Sequence, residues 1–319
     1  MSNKKGYYKD CMGRAGRLVL TSADYIDEYK RLKEIEDKIS NNERISNKKI
    51  NAIWLETSGC FGEIISLLNG EKPDITYFLD KVVNMVYFES ITGNEGEKAY
   101  EKILDILNTE YILLISGAIP VKSNGKYTIL ANYKGKDITA MEAVSLCAKN
   151  AKGIIAVGTC ACYGGPTAAS PNVSLGLSVR DYLRRDDVIN IPGCPAHPVW
   201  LLSSVGYLIN YGPLNLDDEG RPVAFYGLTI HSRCPKRSYF DKGIFAKKYG
   251  DPECMFKLGC RGPITKVFCP VSRWNESYNW PIGDRTTCIG CAGKGFPDAM
   301  QPFADYKKGG AMRDEEDYY

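Results

Sequence analysis

Residues 53–63 read Ile53-Trp54-Leu55-Glu56-Thr57-Ser58-Gly59-Cys60-Phe61-Gly62-Glu63, a short apolar run that ends in small residues with a thiol directly behind them. The pattern recurs twice: Ile154-Ile155-Ala156-Val157-Gly158-Thr159 precedes Cys160, and Val188-Ile189-Asn190-Ile191-Pro192-Gly193 precedes Cys194. A fourth run, Tyr111-Ile112-Leu113-Leu114-Ile115, carries no thiol. Stretches long enough for helices separate these runs. Continuous apolar strands alternating with helices predict a parallel sheet covered on both faces. Ligands of such sheets bind beyond the carboxyl ends of the strands, so three thiols from distant positions are expected in one crevice. A glycine directly before each cysteine, or one residue earlier, lets the backbone approach a bound group closely. One such cysteine alone would read as an inert buried thiol; three at the same topological place point to a shared ligand.

A four-iron cluster takes four donors, usually thiolates. Two residues compete for the fourth place beside Cys60, Cys160 and Cys194. Glu63 follows Cys60 by three residues, one turn of chain, whereas Cys162 follows Cys160 by two and shares its face in extended backbone. Spacing alone leaves both open.

Outward from these motifs, 319 residues with 44% hydrophobic side chains and a mean hydropathy of -0.27 suffice for two compact domains. A formal net charge of +3 and no stripe of lysine or arginine interleaved with aromatics argue against a nucleic-acid partner. No apolar run approaches the ~20 residues that cross a bilayer, so no membrane span is expected. The opening residues show neither an apolar signal core nor a twin-arginine motif, and the expected location is cytoplasmic. In that compartment twelve cysteines are expected to be metal ligands, buried thiols or redox groups rather than disulfides.

Composition divides the chain into three segments. Residues 1–48 form a charged extension in which Ala23 to Arg44 read as an exposed helix with charges of both signs. Residues 49–225 carry the strand and helix pattern. In residues 226–319 cysteine, glycine, proline and aromatics become dense and apolar runs vanish, so something other than hydrophobic burial is expected to hold this part together. The stretch Arg313-Asp314-Glu315-Glu316-Asp317-Tyr318-Tyr319 reads as an acidic frayed end.

The last segment holds a second donor group: His231, Cys234, Cys254, Cys260, Cys269, Cys288 and Cys291. Cys288-Ile289-Gly290-Cys291 has knuckle-like spacing, which makes zinc the first competitor. Seven donors would leave a second tetrahedral zinc one ligand short, whereas they divide as four for a cuboidal cluster and three for one lacking a corner iron. His231 stands three residues before Cys234 and reads as a ligand. His197 reads as a structural imidazole, Cys147 as a packing residue on an apolar helix, and Cys11 receives no role.

Taken in order, Trp54-Leu55-Glu56-Thr57-Ser58-Gly59-Cys60-Phe61-Gly62-Glu63, Gly158-Thr159-Cys160-Ala161-Cys162-Tyr163-Gly164-Gly165, Ile191-Pro192-Gly193-Cys194-Pro195, His231-Ser232-Arg233-Cys234-Pro235, Cys254-Met255-Phe256-Lys257-Leu258-Gly259-Cys260-Arg261-Gly262-Pro263 and Cys288-Ile289-Gly290-Cys291 resemble the small subunit of nickel-iron hydrogenases. The resemblance spans about Asn51 to Asp298. It implies an α/β fold, a flavodoxin-like parallel-sheet domain followed by an irregular cysteine-rich iron-sulfur cluster domain. It also implies two 4Fe-4S clusters and one 3Fe-4S cluster: Cys60, Cys160 and Cys194 match proximal ligands, His231, Cys234, Cys254 and Cys260 distal ones, and Cys269, Cys288 and Cys291 medial ones. Pro281 stands where a fourth medial cysteine would be expected. Glu63 replaces the second cysteine of the family's Cys-x-Gly-Cys motif, and because some similar subgroups use a carboxylate there, the resemblance ranks Glu63 above Cys162. Gly62 and Gly165 stand where oxygen-tolerant relatives carry two further cysteines.

The expected function follows from the same resemblance. The chain would carry electrons between a hydrogen-splitting nickel-iron site on a large-subunit partner and an external redox partner, with catalysis absent from this chain. The two subunits would form an obligate heterodimer, alone or within a higher oligomer, joined by an extensive apolar interface. The alternative is the small subunit of a regulatory hydrogen-sensing complex.

Overall fold

The computed structural model describes residues 23–46, 48–71, 74–93, 95–275 and 278–301; Cys11 and the acidic C-terminal stretch lie outside them. Five strands, β1 (Ile50–Glu56), β2 (Val83–Phe88), β3 (Tyr111–Ser116), β4 (Gly153–Val157) and β5 (Ile189–Ile191), form one sheet in the order β2-β1-β3-β4-β5. Every neighbouring pair is parallel. This is the flavodoxin-like order, with its switch point between β1 and β3.

Alternation along the strands explains why the sheet is covered twice. Ala52 and Trp54 of β1, Ile112 and Leu114 of β3, and Ile155 and Val157 of β4 face one apolar cluster. Ile53 and Leu55, Leu113 and Ile115, and Ile154 and Ala156 face the other. Side chains of period two thus fill both layers, and an all-apolar run is the result. Trp54 is fully buried, stacks on Phe88 at 4.5 Å, and donates its indole N–H to Ser116 Oγ at 3.0 Å.

The helices α1 (Ala23–Ser40), α2 (Gly62–Leu68), α3 (Gly96–Ile106), α4 (Ala140–Cys147), α5 (Gly158–Tyr163) and α6 (Pro198–Tyr211) complete the framework. Their starts are chemically marked: Thr139 and Glu142 form a reciprocal capping box on α4, at 3.1 and 3.0 Å. The helix read from the charged extension does form, but not as an exposed arm. Leu32, Ile35 and Ile39, on one face at helical spacing, are buried in the first cluster against α6.

The expectation that residues 226–319 lack an apolar core also needs correction. Among the described residues they form only short helical turns, yet Tyr226, Met255, Val267, Trp280 and Ile282 are buried in the same cluster as α6. The cysteine-rich region is therefore seated on the sheet's helical layer.

Candidate functional site

The turns after β1, β4 and β5 deliver Cys60, Cys160 and Cys194 to one end of the sheet, with Glu63 in the first turn of α2. Gly158, at φ +84°, makes the sharp passage from β4 into α5, and its missing side chain leaves room for the Glu63 carboxylate. A Cβ there would lie 1.9 Å from Glu63 Oε1. The other carboxylate oxygen accepts the Ala196 N–H at 2.7 Å. Burial pushes the Glu63 carboxyl up to about 8 against the pull of that one N–H. A buried carboxylate with a single donor suits a cationic neighbour. Burial pushes the Cys194 thiol up to about 12, and the charges of Cys291, Cys160, Glu63 and Cys60 add to the rise.

Cys162 is held differently. Its thiol is buried in the second apolar cluster and donates to the Ala156 carbonyl at 3.3 Å. Backbone approach is tight around the other thiols: Gly62 donates its N–H to Cys60 Sγ at 3.3 Å, and a Cβ on Gly165 would stand 3.0 Å from Cys160 Sγ.

The second donor group forms two places. His231, Cys234, Cys254 and Cys260 line one cavity of about 300 Å³, together with Ile230, Lys236 and Phe256. Burial, reinforced by the nearby Arg237 charge, lowers His231 to about 4, so its ring is neutral and can offer a lone pair. The ring meets Phe240 edge-on at 4.5 Å. Burial pushes Cys254 up to about 11. Cys269 and Cys291 line a neighbouring cavity of about 250 Å³ with Trp200 and His197. Cys288 is buried, and its thiol is raised by that burial first and then by the charges of Cys260, Cys291 and Cys269. His197 caps α6 by accepting the Val199 N–H at 3.2 Å, and it stacks on Trp200 at 4.7 Å. Cys147 is a buried packing thiol of the second cluster, and burial pushes it up to about 12.

One residue that the sequence did not single out joins the two groups. The Thr159 hydroxyl accepts the Gly193 N–H at 3.0 Å and donates to the Cys291 carbonyl. Its position beside Cys160 was the only available signal.

Among the described residues no three His, Cys, Asp or Glu side chains close on one point as a single ion requires. The donors instead ring spaces larger than an ion, with eleven free cysteines among the described residues; of the nine donor thiols Cys254, Cys260, Cys269 and Cys288 are buried, Cys160, Cys194, Cys234 and Cys291 half-buried, and Cys60 exposed. Buried thiols convert to thiolates only when cationic charge offsets their desolvation, so this donor set fits polynuclear iron-sulfur groups.

Two protein families match the chain: "NADH ubiquinone oxidoreductase, 20 Kd subunit" over residues 60–208, and the C-terminal region of the "NiFe/NiFeSe hydrogenase small subunit" over residues 226–304. The periplasmic [NiFeSe] hydrogenase small subunit of Desulfomicrobium baculatum is 37% identical over 275 residues, covering 80% of this chain and 87% of the relative. The periplasmic [NiFe] hydrogenase small subunit of Solidesulfovibrio fructosivorans is 33% identical and covers 81% of each. The solved recombinant [NiFeSe] hydrogenase of Desulfovibrio vulgaris Hildenborough superposes with a TM-score of 0.76 at 32% identity, over 81% of this chain and 98% of that one. These relatives overturn the cytoplasmic expectation, because they are named periplasmic. A few opening residues without a signal pattern could not carry a statement about compartment, and residues 1–22 lie outside the described structure.

Proposed function

Because the chain belongs to the nickel-iron hydrogenase small subunits, the electron-transfer partners of a hydrogen-splitting large subunit, we propose that it holds three iron-sulfur clusters in a row. Cys60, Glu63, Cys160 and Cys194 would hold a proximal 4Fe-4S cluster. His231, Cys234, Cys254 and Cys260 would hold a distal 4Fe-4S cluster, and Cys269, Cys288 and Cys291 a medial 3Fe-4S cluster. When bound, such clusters supply one-electron storage and transfer at potentials set by ligand type, hydrogen bonds and burial. The observation that carries this reading is the single cavity lined by His231, Cys234, Cys254 and Cys260, donors from three separate loops.

The residues around the donors have definable work. The Ala196 N–H and the room left by Gly158 position the Glu63 carboxylate, a hard oxygen donor that carries the same charge as a thiolate but bonds less covalently. The N–H groups of Gly62, Gly262 and Gly290 point at Cys60, Cys260 and Cys288 sulfurs at 3.3, 3.5 and 3.3 Å, and those of Gly262 and Gly290 favour the thiolates of Cys260 and Cys288. Ile230, Phe256 and Ile282 give the distal place apolar walls. Pro281, half-buried and without a donor atom, supports a medial site of three ligands.

Hydrogen chemistry belongs to the large subunit, and the apolar residues Phe61, Ile65 and Leu68, exposed beside Cys60, support a covering partner there. The relatives are named hydrogenases and lend no support to the sensing alternative. Periplasmic placement is part of this proposal, as is an external acceptor reached through the His231 end. The test is an iron and sulfide count with electron paramagnetic resonance on the anaerobically purified complex. About eleven cluster irons per small subunit are expected. Glu63→Ala should abolish the proximal signal while Cys162→Ala keeps it; the reverse outcome would make Cys162 the ligand.

A further inference from the structure

The rim of the His231 cavity differs in charge from the rest of the chain. Residues 231–258 contain seven lysines and arginines against three acidic residues, whereas the whole chain carries a formal net charge of only +3. Two of the three carboxylates are already engaged within the chain. Asp241 accepts from Arg237 Nε at 2.9 Å, and Asp251 accepts the backbone N–H groups of Lys247 and Lys248 at 2.9 and 3.1 Å. Lys242, Lys247, Lys248, Arg233 and Lys257 are exposed. Among them stand two large apolar side chains in solvent, Ile244 at 43% and Tyr249 at 57% exposure.

This basic surface is built onto the cavity wall. Phe245 pairs with Cys254 in an isolated bridge, and Ala246 donates its N–H to the Cys254 carbonyl at 2.9 Å. Phe240, Phe245 and Phe256 pack together at 5.2 to 6.1 Å, with Phe240 against the His231 ring. Gly250 donates its N–H to the Arg285 carbonyl and its own carbonyl accepts from the Arg285 guanidinium, which adds a further cation at the edge. One layer of aromatic rings therefore separates a histidine donor from a lysine-rich surface.

We infer that the basic surface formed by Lys242, Lys247, Lys248 and Lys257 around Ile244 and Tyr249 is the docking face for a small electron-carrier protein with a carboxylate-rich face. The inference rests on the relay proposed above and adds the chemistry of its outside partner. A small apolar centre ringed by like charges gives fast, oriented and short-lived encounters, as rapid turnover of a carrier needs. A lipid surface fits less well. The helix nearest this face, Arg237–Asp241, has five residues and no buried side chain, too short to lie in a bilayer interface as an amphipathic anchor.

The test uses the purified complex of both subunits with hydrogen as donor and three acceptors: an acidic ferredoxin, a lysine-rich c-type cytochrome and an uncharged quinone dye. For the ferredoxin, kcat/KM should fall about tenfold or more between roughly 20 and 500 mM salt, as screened steering predicts, while dye reduction stays level. The double substitution Lys247→Glu, Lys248→Glu should cost the ferredoxin about tenfold at low salt, speed the cytochrome, and leave the dye rate and iron count unchanged. Full dye reduction with ferredoxin rates indifferent to salt and to charge reversal would overturn the inference alone. So would binding to anionic phospholipid vesicles without any carrier effect. A complex lacking iron and dye reduction would overturn the relay itself.

Discussion

The sheet region and the cysteine-rich region bury comparable side chains by different means. In residues 50–211 strands alternate their side chains into two apolar layers, and the backbone is satisfied by parallel ladders. In residues 226–301 the chain runs through turns and short helical pieces, and much of what it buries is thiol: Cys254, Cys260, Cys269 and Cys288. Burial raises each of these thiols. Apolar packing accounts for the first region, one of its two layers being shared with the second, whereas the second adds to that shared seat donors whose burial makes sense once metal is bound. A strand end can therefore present a ligand on a scaffold that exists beforehand, and a loop of cysteines acquires its shape together with its ligand.

Removing the metal should separate the two regions most strongly. Anaerobic chelation, or Cys254→Ala, is expected to expose residues 226–301 to limited proteolysis while the sheet region keeps its hydrogen-exchange protection; uniform loss across the chain would erase the contrast. The converse perturbation is Trp54→Ala, which deletes a fully buried ring and its bond to Ser116. It should cost about 3–5 kcal/mol of stability, measured by denaturant unfolding and centred on the sheet. The smallest effect concerns α1. Glu28 is buried, and burial raises its carboxyl above the ordinary value although it accepts the Asn215 N–H at 2.7 Å. A raised carboxyl means the folded state holds its proton longer, so this contribution is fully present at low pH and is lost as pH rises through the folded value. Glu28→Gln should flatten that decline in thermal melting as pH rises above the ordinary carboxyl range, and leave exchange in residues 226–301 untouched.

Much of this was legible in the residues. Runs such as Tyr111 to Ile115 gave β1, β3, β4 and β5 because strands buried on both faces are apolar throughout. β2 was not legible: Val83-Asn84-Met85-Val86-Tyr87-Phe88 lies at the sheet edge, where Asn84 faces solvent and breaks the run. The docked face of α1 was hidden by its charges, since three residues at helical spacing suffice to bury it. The strand-end thiols announced themselves through glycine and position. Which loop donors share a cavity depends on turns such as that at Gly259, φ +86°, and only the ordered resemblance of six motifs divided them beforehand. Compartment lay outside what these residues encode.

The Thr159 hydroxyl, between the Gly193 N–H and the Cys291 carbonyl, has a consequence for how the molecule holds together. Both of its partners must be present for the knot to tie, and one of them belongs to the turn after the sheet's last strand. Through one hydroxyl the turn after β5 and the loop bearing Cys291 are tied into a single unit, so a disturbance of either is passed to the other.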